Sequence, residues 1–169
     1  MEADKDLEDK MKPLIVIRGP LGIGKSTISR LLAEKINAKY FSVDKILEEN
    51  KLDREDNNFT AKDFIKANKL VLKEIKDSLK ERPVIIDGNF YFKEAIEHLE
   101  KEIKNTRVFN LKAPLEICIS RDKSRKIVYG EQAAKEVYAL VSKFEYGTPI
   151  DTEDKTAIKV VKEIIGELR

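Results

Sequence analysis

The sequence predicts an α/β fold in which helices cover both faces of a parallel sheet, giving a three-layer sandwich. One observation is the regular alternation of short apolar, β-branched runs with segments of helical periodicity. The other is the first of these runs, residues 14–17, which leads directly into a turn that fits G-x-x-x-x-G-K-[ST] and then into a helix. Strand, glycine-rich turn and helix in this order are typical of the P-loop NTPase fold.

The glycine-rich turn supplies the groups that a nucleoside triphosphate needs. Its candidate binding residues are Gly19, Pro20, Leu21, Gly22, Ile23, Gly24, Lys25, Ser26 and Thr27. Its glycines let backbone N–H groups approach phosphate closely, and the following helix adds its dipole. Lys25 offers a point charge for the β- and γ-phosphates, and the Ser26 hydroxyl can ligate Mg²⁺. The sequence therefore predicts a site for ATP or a related triphosphate with Mg²⁺.

Length and composition exclude several classes of protein. A chain of 169 residues fits one domain, 1–169, with a core of its own. Cys118 is the single cysteine, so no internal disulfide can form and a cytoplasmic location is expected. No apolar run is long enough to span a membrane, and the charged residues 1–12 are expected to fray. The net charge of +2 argues against a dedicated nucleic-acid-binding protein.

The remaining elements are expected in strict alternation. Further strands are predicted at 39–43, 84–86, 106–111 and around Ile150, and helices at 27–36, 45–50, 60–80, 92–103, from Pro114 on, 131–144 and 152–168. Thr60 with Asp63 is a capping signal, and residues 51–59 are a polar loop. The last helix is expected to turn Ile158, Val161, Ile164 and Ile165 inward.

Two carboxylates are expected beside Ser26, because the carboxyl ends of parallel strands share one edge of the sheet. Asp87 ends an apolar strand, which is typical of an acid that binds Mg²⁺ together with Ser26; the alternative is an N-cap or turn aspartate before Gly88. Asp44 ends the second strand, where it can take a proton from a hydroxyl acceptor. The alternative for Asp44 is the N-cap of the helix that follows.

A pair of arginines completes the candidate catalytic groups, Lys25, Asp44, Arg121 and Arg125. Arg121 and Arg125 are four residues apart, so on one helix they share a face. Both are then expected to reach the transferred phosphoryl group and to neutralise its developing charge. The alternative is a solvated basic face that includes Lys123 and Lys126.

These motifs together resemble the small P-loop kinases of the adenylate-kinase-like superfamily. The resemblance is carried by the P-loop, Ser-Val-Asp44, Ile-Ile-Asp87-Gly88 and the segment from Pro114 to Arg125, and it extends over about residues 13–169. It implies a sheet of order 2-3-1-4-5 and an arginine-bearing helical lid over about 120–147. It also implies an adenine site near the lid helix and the 147–152 turn.

Departures from the family's pattern indicate the kind of acceptor. Adenylate kinases carry two arginines that hold the acceptor's phosphate, and the matching positions here are Leu47 and Tyr91. Each lost charge-assisted contact is worth about 1.5–3 kcal/mol, so a monophosphate acceptor is disfavoured. The likeness therefore moves toward the zeta-toxin, gluconate-kinase and polynucleotide-kinase-like branch, and the hypothesis is an ATP-dependent kinase of a hydroxyl on a small molecule or nucleoside.

Other functions stay open from the sequence. A nucleoside monophosphate kinase and a polynucleotide 5′-hydroxyl kinase are the enzymatic alternatives, although Leu47 also replaces the arginine that is common in the second class. Nucleic acid is therefore not the favoured partner. A non-catalytic nucleotide-binding regulator is a further alternative, against which the intact Lys25, Ser26, Asp44 and Asp87 argue. The chain is expected to be a monomer or a homodimer that binds ATP and an unidentified acceptor.

Overall fold

The computed structural model describes Asp6, residues 10–53 and residues 58–169. Most of the terminus that was expected to fray, 1–12, and residues 54–57 of the polar loop lie outside this range. Residues 11 and 12 are fixed, because the Lys12 amide donates to the carbonyl of Leu79 (2.8 Å) and the Asn105 side chain donates to the carbonyl of Met11 (3.1 Å). The expectation of fraying is therefore wrong for these two residues.

A five-stranded parallel sheet forms the centre of the molecule. Its strands are β1 (Leu14–Arg18), β2 (Lys39–Ser42), β3 (Val84–Gly88), β4 (Thr106–Lys112) and β5 (Thr148–Asp151). The order across the sheet is β2-β3-β1-β4-β5, and every neighbouring pair is parallel. This confirms the 2-3-1-4-5 order that the family resemblance implies, and it confirms Ile150 as part of an edge strand.

Seven helices in the described residues cover the two faces of the sheet. They are α1 (Lys25–Ile36), α2 (Val43–Glu49), α3 (Ala61–Ser78), α4 (Lys93–Glu102), α5 (Leu115–Lys123), α6 (Glu131–Val141) and α7 (Ala157–Leu168). Successive side chains of a strand point to opposite faces, so β1 places Leu14 and Val16 in one buried core and Ile15 and Ile17 in another. The three-layer sandwich is therefore confirmed.

The two cores belong to different sets of helices. On one side α2, α3 and α4 pack against the sheet through residues such as Leu47, Phe64 and Leu99. On the other side α1, α5 and α7 contribute residues such as Leu32, Cys118 and Ile164. No helix within the described residues is both long enough and apolar enough to cross a membrane.

The closing helix begins five residues later than the periodicity indicates. Its N-cap is Thr156, whose hydroxyl accepts a hydrogen bond from the Lys159 amide (3.3 Å). The expectation that Ile158 faces inward is wrong: it is 54% exposed, and Val160 occupies the core instead. The preceding helix, α6, is shorter than predicted, because it ends at Val141 and not at residue 144.

The other local signals hold to within a few residues. Thr60 and Asp63 form the predicted capping box at the start of α3, in which the Thr60 amide donates to the Asp63 carboxylate (2.8 Å). Pro114 is the N-cap of α5 and does not lie inside its first turn. The described parts of the polar loop, 51–53 and 58–59, contain no helix or strand.

Two glycines with opposite environments provide a test of the turn before β5. Gly147 has φ of 79°, and a Cβ there would lie 2.5 Å from the carbonyl oxygen of Val108. Gly147→Ala should lower the free energy of unfolding by more than ~1 kcal/mol, because it adds a left-handed strain to a steric clash. Gly166→Ala is the matched control: it lies in α7 with open space around it, so it should raise stability by about 0.5–1 kcal/mol. Denaturant unfolding followed by circular dichroism measures the free energy of unfolding of both variants. A Gly147→Ala protein as stable as the unchanged protein would contradict the requirement for glycine at this turn.

Candidate active site

The loop between β1 and α1 has the backbone geometry that its sequence requires. Gly22 and Gly24 have φ of 82° and 97°, in the left-handed region that glycine enters without strain. A Cβ at Gly22 would lie 2.2 Å from the carbonyl oxygen of Cys118, so the loop rests directly on α5. Of the nine predicted loop residues, 19–24 therefore form the turn, and 25–27 form the N-terminus of α1.

Lys25 folds back over this loop. Its Nζ donates a hydrogen bond to the carbonyl oxygen of Pro20 (3.0 Å), while Ser26 and Thr27 are exposed at the first turn of α1. Burial lowers the pKa of Lys25, and the charges of Asp44 and Asp87 oppose this shift. Both predicted carboxylates therefore act on the same ammonium group.

Asp87 is a buried carboxylate inside β3. It is 3% exposed, and its Oδ2 accepts a hydrogen bond from the Tyr40 hydroxyl (2.7 Å). Burial raises the pKa of Asp87, against the effects of the Tyr40 hydrogen bond and the Lys25 charge. The alternative of a helix cap does not hold, because the next helix is capped at Phe92. Asp87 therefore stands as a buried oxygen donor beside the loop.

Asp44 lies in the first turn of α2 and is exposed. It does not end β2 and is not the cap: the strand ends at Ser42, whose side chain accepts from the Lys45 amide (3.5 Å). Within the described part of the chain, the Asp44 carboxylate makes no hydrogen bond or ion pair. The capping alternative is therefore wrong, and the carboxylate is available to a ligand.

The positions that carry arginine in adenylate kinases are apolar or aromatic in the structure as well as in the sequence. Leu47 belongs to α2, is 3% exposed and packs into the core between that helix and the sheet. The Tyr91 hydroxyl accepts a hydrogen bond from the Asn89 side chain (2.9 Å), and burial raises the pKa of Tyr91, as does the charge of Asp44. A cation for an acceptor phosphate is therefore missing at both places.

Arg121 joins the loop to the end of β5. Its Nη1 donates to the carbonyl oxygen of Ile23 (3.3 Å) and to Thr152 Oγ1 (2.8 Å), and its Nη2 donates to the carbonyl oxygen of Thr152 (2.7 Å). Next to it lies a depression of about 420 Å³ lined by α5 and by residues 154–156. Arg121 therefore holds together the loop and the region where the family resemblance implies an adenine site.

Arg125 lies beyond the end of α5, so the expectation that both arginines share one helical face is wrong. The helix ends because the buried Asp122 carboxylate accepts the backbone amides of Tyr129 (3.3 Å) and Gly130 (2.9 Å), which closes a loop of the chain. The Arg125 side chain is 43% exposed, and its guanidinium lies 5.3 Å from the ring centroid of Tyr129. Its charge nevertheless acts on Lys25.

The donors at this edge of the sheet fit a magnesium ion. Mg²⁺ typically binds one or two protein oxygens and takes its other ligands from phosphate and water. Ser26 and Asp87 provide such a pair. Both act on the Tyr40 hydroxyl, because burial and Asp87 raise the pKa of Tyr40 and Ser26 lowers it. Within the described residues there is no cluster of three His, Cys, Asp or Glu side chains that would hold a metal without phosphate.

Two residues of the site were missed by the sequence interpretation. Tyr40 bonds the Asp87 carboxylate, and strand alternation places it on the same face of β2 as Ser42, which pairs with Asp87. Arg18 is fully buried, and it donates to the carbonyl oxygens of Phe90 (3.2 Å) and Val141 (2.7 Å). An arginine at the end of an otherwise apolar strand was the available signal for the second residue.

Comparisons with known proteins agree with this geometry. The family described as AAA domain (AAA_18) matches residues 15–137. An adenylate kinase from Nautilia profundicola is 30% identical over 130 residues, a match that covers 71% of this chain and 68% of that protein. A shikimate kinase from Persephonella marina is 26% identical over 161 residues, which is 92% of this chain and 98% of that protein.

A solved structure extends the comparison to the fold. The gluconokinase from Sinorhizobium meliloti 1021 superimposes with a TM-score of 0.72 at 14% identity, over 94% of this chain and 93% of that one. At this identity the likeness shows the fold alone. The family match covers most of the chain, and the similar proteins are kinases that act on different small molecules. The chain therefore belongs to the AAA domain family, and it is a small P-loop kinase of the adenylate-kinase-like group, an ATP-dependent phosphotransferase.

Proposed function

We propose that this kinase transfers the γ-phosphoryl group of ATP to a hydroxyl group of a small molecule or nucleoside. The observation that carries the proposal is the Asp44 carboxylate, which is exposed at the N-terminus of α2 and acts on Lys25. Leu47 and Tyr91 stand where an acceptor phosphate would need arginines. A phosphate acceptor is already ionised, whereas a hydroxyl acceptor must lose a proton, and Asp44 is placed to receive it.

ATP is proposed to lie along the loop of residues 19–27. Backbone amides of the loop and the N-terminus of α1 favour the negative charge of the phosphates, and Lys25 adds its ammonium group. The adenine is proposed to occupy the depression beside Arg121 and residues 154–156. Ser26 and Asp87 would hold Mg²⁺, which neutralises charge on the phosphate oxygens.

The proposed reaction is an in-line displacement at phosphorus. The acceptor oxygen forms a bond to the γ-phosphorus, the bond to the β–γ bridging oxygen breaks, and ADP leaves. The proton of the acceptor hydroxyl passes to Asp44. Burial lowers the pKa of Lys25 and the two neighbouring carboxylates oppose this shift, so they favour the ammonium form that attracts the phosphoryl oxygens.

The two arginines are proposed to act in different ways. Arg121 is already bound to the carbonyl oxygens of Ile23 and Thr152, so its main contribution is to position the loop. Arg125 is exposed on the segment between α5 and α6, within the proposed lid at 120–147, where a single ion pair of 4.0 Å joins it to Asp122. We propose that it exchanges this ion pair for the transferred group when the lid closes. The lid is thus proposed to bring one mobile cation to the reaction.

Transfer to the phosphate of a nucleoside monophosphate is the second candidate. The observation in its favour is the similarity to the adenylate kinase from Nautilia profundicola. Against it stand the buried Leu47 and the half-buried Tyr91, neither of which can neutralise a phosphate. An acceptor screen with labelled ATP over sugars, sugar acids, nucleosides and nucleoside monophosphates separates the two.

The Asp44→Asn variant tests the proposed base. The amide is nearly isosteric but takes no proton, so kcat toward a hydroxyl acceptor should fall by roughly 10²-fold or more with ATP binding nearly unchanged. Glu48→Gln is the matched control, because Glu48 is an exposed acid of the same helix. Steady-state kinetics and calorimetry measure the two effects. A best acceptor that is a nucleoside monophosphate, with a rate indifferent to Asp44→Asn, would refute the proposal.

Replacement of each arginine tests whether Arg121 positions the loop and Arg125 acts on the transferred group. Arg125→Ala should lower kcat by roughly 10²-fold and change the dissociation constant of ATP much less, because the charge it meets is largest in the transition state. Arg121→Ala removes three hydrogen bonds of the loop region, so it should weaken ATP binding and lower the unfolding midpoint as well. Lys126→Ala, an exposed neighbouring cation, is the control. Equal kcat for Arg125→Ala and Lys126→Ala would show that Arg125 is a surface charge.

A further inference from the structure

A pocket with aromatic walls opens beside the ends of β3 and α6. It has a volume of about 350 Å³, and its walls include Phe59, Tyr91, Phe92, Phe144 and Leu140. Among the described residues, the charged side chains at this pocket are Lys93, Glu94 and Lys143, all of which are exposed. The pocket therefore offers flat apolar faces in its interior and charged groups that reach water.

The aromatic walls are held in place by contacts with other rings and with Arg18. Phe64 meets Phe59 and Tyr91 edge to face, with ring centroids 5.6 Å and 5.7 Å apart. On the other side, the Arg18 guanidinium lies 4.1 Å from the centroid of Phe144. Rings fixed in this way lose little freedom when a ligand binds, which favours a preformed site.

The pocket and Asp44 lie at the same edge of the sheet. Ser42 pairs with Asp87 in the sheet, so the segments that follow β2 and β3 leave the same edge side by side. The two segments touch, since a Cβ at Gly88 would lie 2.9 Å from the Cβ of Val43, the residue before Asp44. Tyr91 follows three residues after Gly88, and the Asp44 charge acts on its hydroxyl. A molecule whose hydroxyl meets Asp44 can therefore extend along Tyr91 into the pocket.

We infer that the acceptor is an alcohol carrying a flat ring, as a nucleoside does, and that this ring binds between the aromatic walls beside Tyr91. The inference rests on the proposed function, because it takes Asp44 to mark the acceptor hydroxyl. A flat ring buries its faces against those of Tyr91 and Phe144. An open-chain polyol would bring hydroxyl groups against the same walls and leave them without hydrogen-bond partners, which is unfavourable.

Adenosine and ribose form a matched pair of probes for this inference, because they share the pentose and differ in the ring. Adenosine should have a kcat/KM at least roughly 10-fold higher than ribose, and it should bind more tightly in calorimetry. Tyr91→Leu should remove most of this preference, whereas Tyr91→Phe, which keeps the ring, should retain it. Tyr138→Leu is the control, since the Tyr138 hydroxyl bonds the carbonyl oxygen of Ala113 outside the pocket.

The possible outcomes distinguish a failure of the ring inference from a failure of the proposed function. A kcat/KM for ribose or gluconate that equals or exceeds that for adenosine, with a rate that still depends on Asp44, would overturn the ring inference and leave the hydroxyl kinase standing. A preference for adenosine that Tyr91→Leu does not alter would also overturn it. Phosphorylation of AMP on its phosphate, independent of Asp44, would overturn the proposed function itself.

A second inference comes from the buried hydrogen bond between Tyr40 and Asp87. The Tyr40 hydroxyl donates to Oδ2 of the carboxylate at 2.7 Å, and Asp87 is 3% exposed. When a phenol donates a hydrogen bond to one oxygen of a carboxylate, it restricts the rotation of the group and so favours one direction for the second oxygen. Strand pairing places Tyr40 opposite Ile85, two residues before Asp87, so the contact follows from the register of the sheet.

We propose that Tyr40 is a positioning residue, which orients Asp87 so that its other oxygen is directed toward Mg²⁺. Residues that orient a metal-binding group through a hydrogen bond typically change metal affinity by about 10- to 100-fold when they are replaced. Tyr40→Phe keeps the ring and removes the donor. It should therefore raise the Mg²⁺ concentration for half-maximal ATP binding by about 10-fold.

Calorimetric titration with ATP, with Mg²⁺ and with EDTA in its place, distinguishes orientation from a general loss of structure. Tyr40→Phe should weaken only the Mg²⁺-dependent part of the affinity and leave binding in EDTA unchanged. Tyr138→Phe is the control, because it loses one phenol hydrogen bond, of 3.1 Å, to the backbone carbonyl of Ala113 and none to Asp87. An unchanged Mg²⁺ dependence, or an equal loss in EDTA, would overturn the proposal.

Discussion

The parallel pairing of β1 with β3 is the constraint on which the site depends. In this register Ile17 lies opposite Asp87 and Arg18 lies opposite Gly88, so the loop that follows β1 and the acid that ends β3 leave the sheet at the same level. A shift of one residue would turn Asp87 to the other face, because side chains alternate along a strand. The buried, apolar residues of both strands fix the register, since each face must fill its own core.

Arg18 links this centre to the elements that surround it. It is buried, and no acid of the described residues is in direct contact with it. Its donors are satisfied by the carbonyl oxygens of Phe90 and Val141 and by the side chain of Asn110. Burial lowers the pKa of Arg18 to about 10, which still leaves the guanidinium charged at neutral pH. A buried cation is tolerated only when its donors are paired. The same side chain therefore ties the loop after β3 to the end of α6, a helix of the proposed lid.

The elements of the fold could be predicted because their signals are local, whereas the order of the strands came from the family resemblance. Apolar runs of β1 and β3, the P-loop and the Thr60–Asp63 capping box each depend on residues that are neighbours in the chain. The predicted start of α7 at residue 152 is wrong, because the Thr152 hydroxyl is occupied by Arg121 and by the carbonyl oxygen of Lys112, and residues 152–156 contain no helix. A tertiary contact of this kind leaves no periodic pattern. The same holds for Ser42, which replaces Asp44 as the cap of α2.

The sequence already predicts different tasks for Asp44 and Asp87, and the three-dimensional structure adds the different surroundings of the two carboxylates. In the sequence both are acids that follow a short strand-like run, and neither run reveals the burial or the hydrogen bonding of its acid. Burial and the bond to Tyr40 make Asp87 a fixed oxygen donor, whereas Asp44 is exposed and unbonded within the described residues. Two carboxylates in such different surroundings are suited to different roles. A fixed donor suits an ion that stays with the phosphates, and an exposed one suits an acceptor that must arrive, lose its proton and leave.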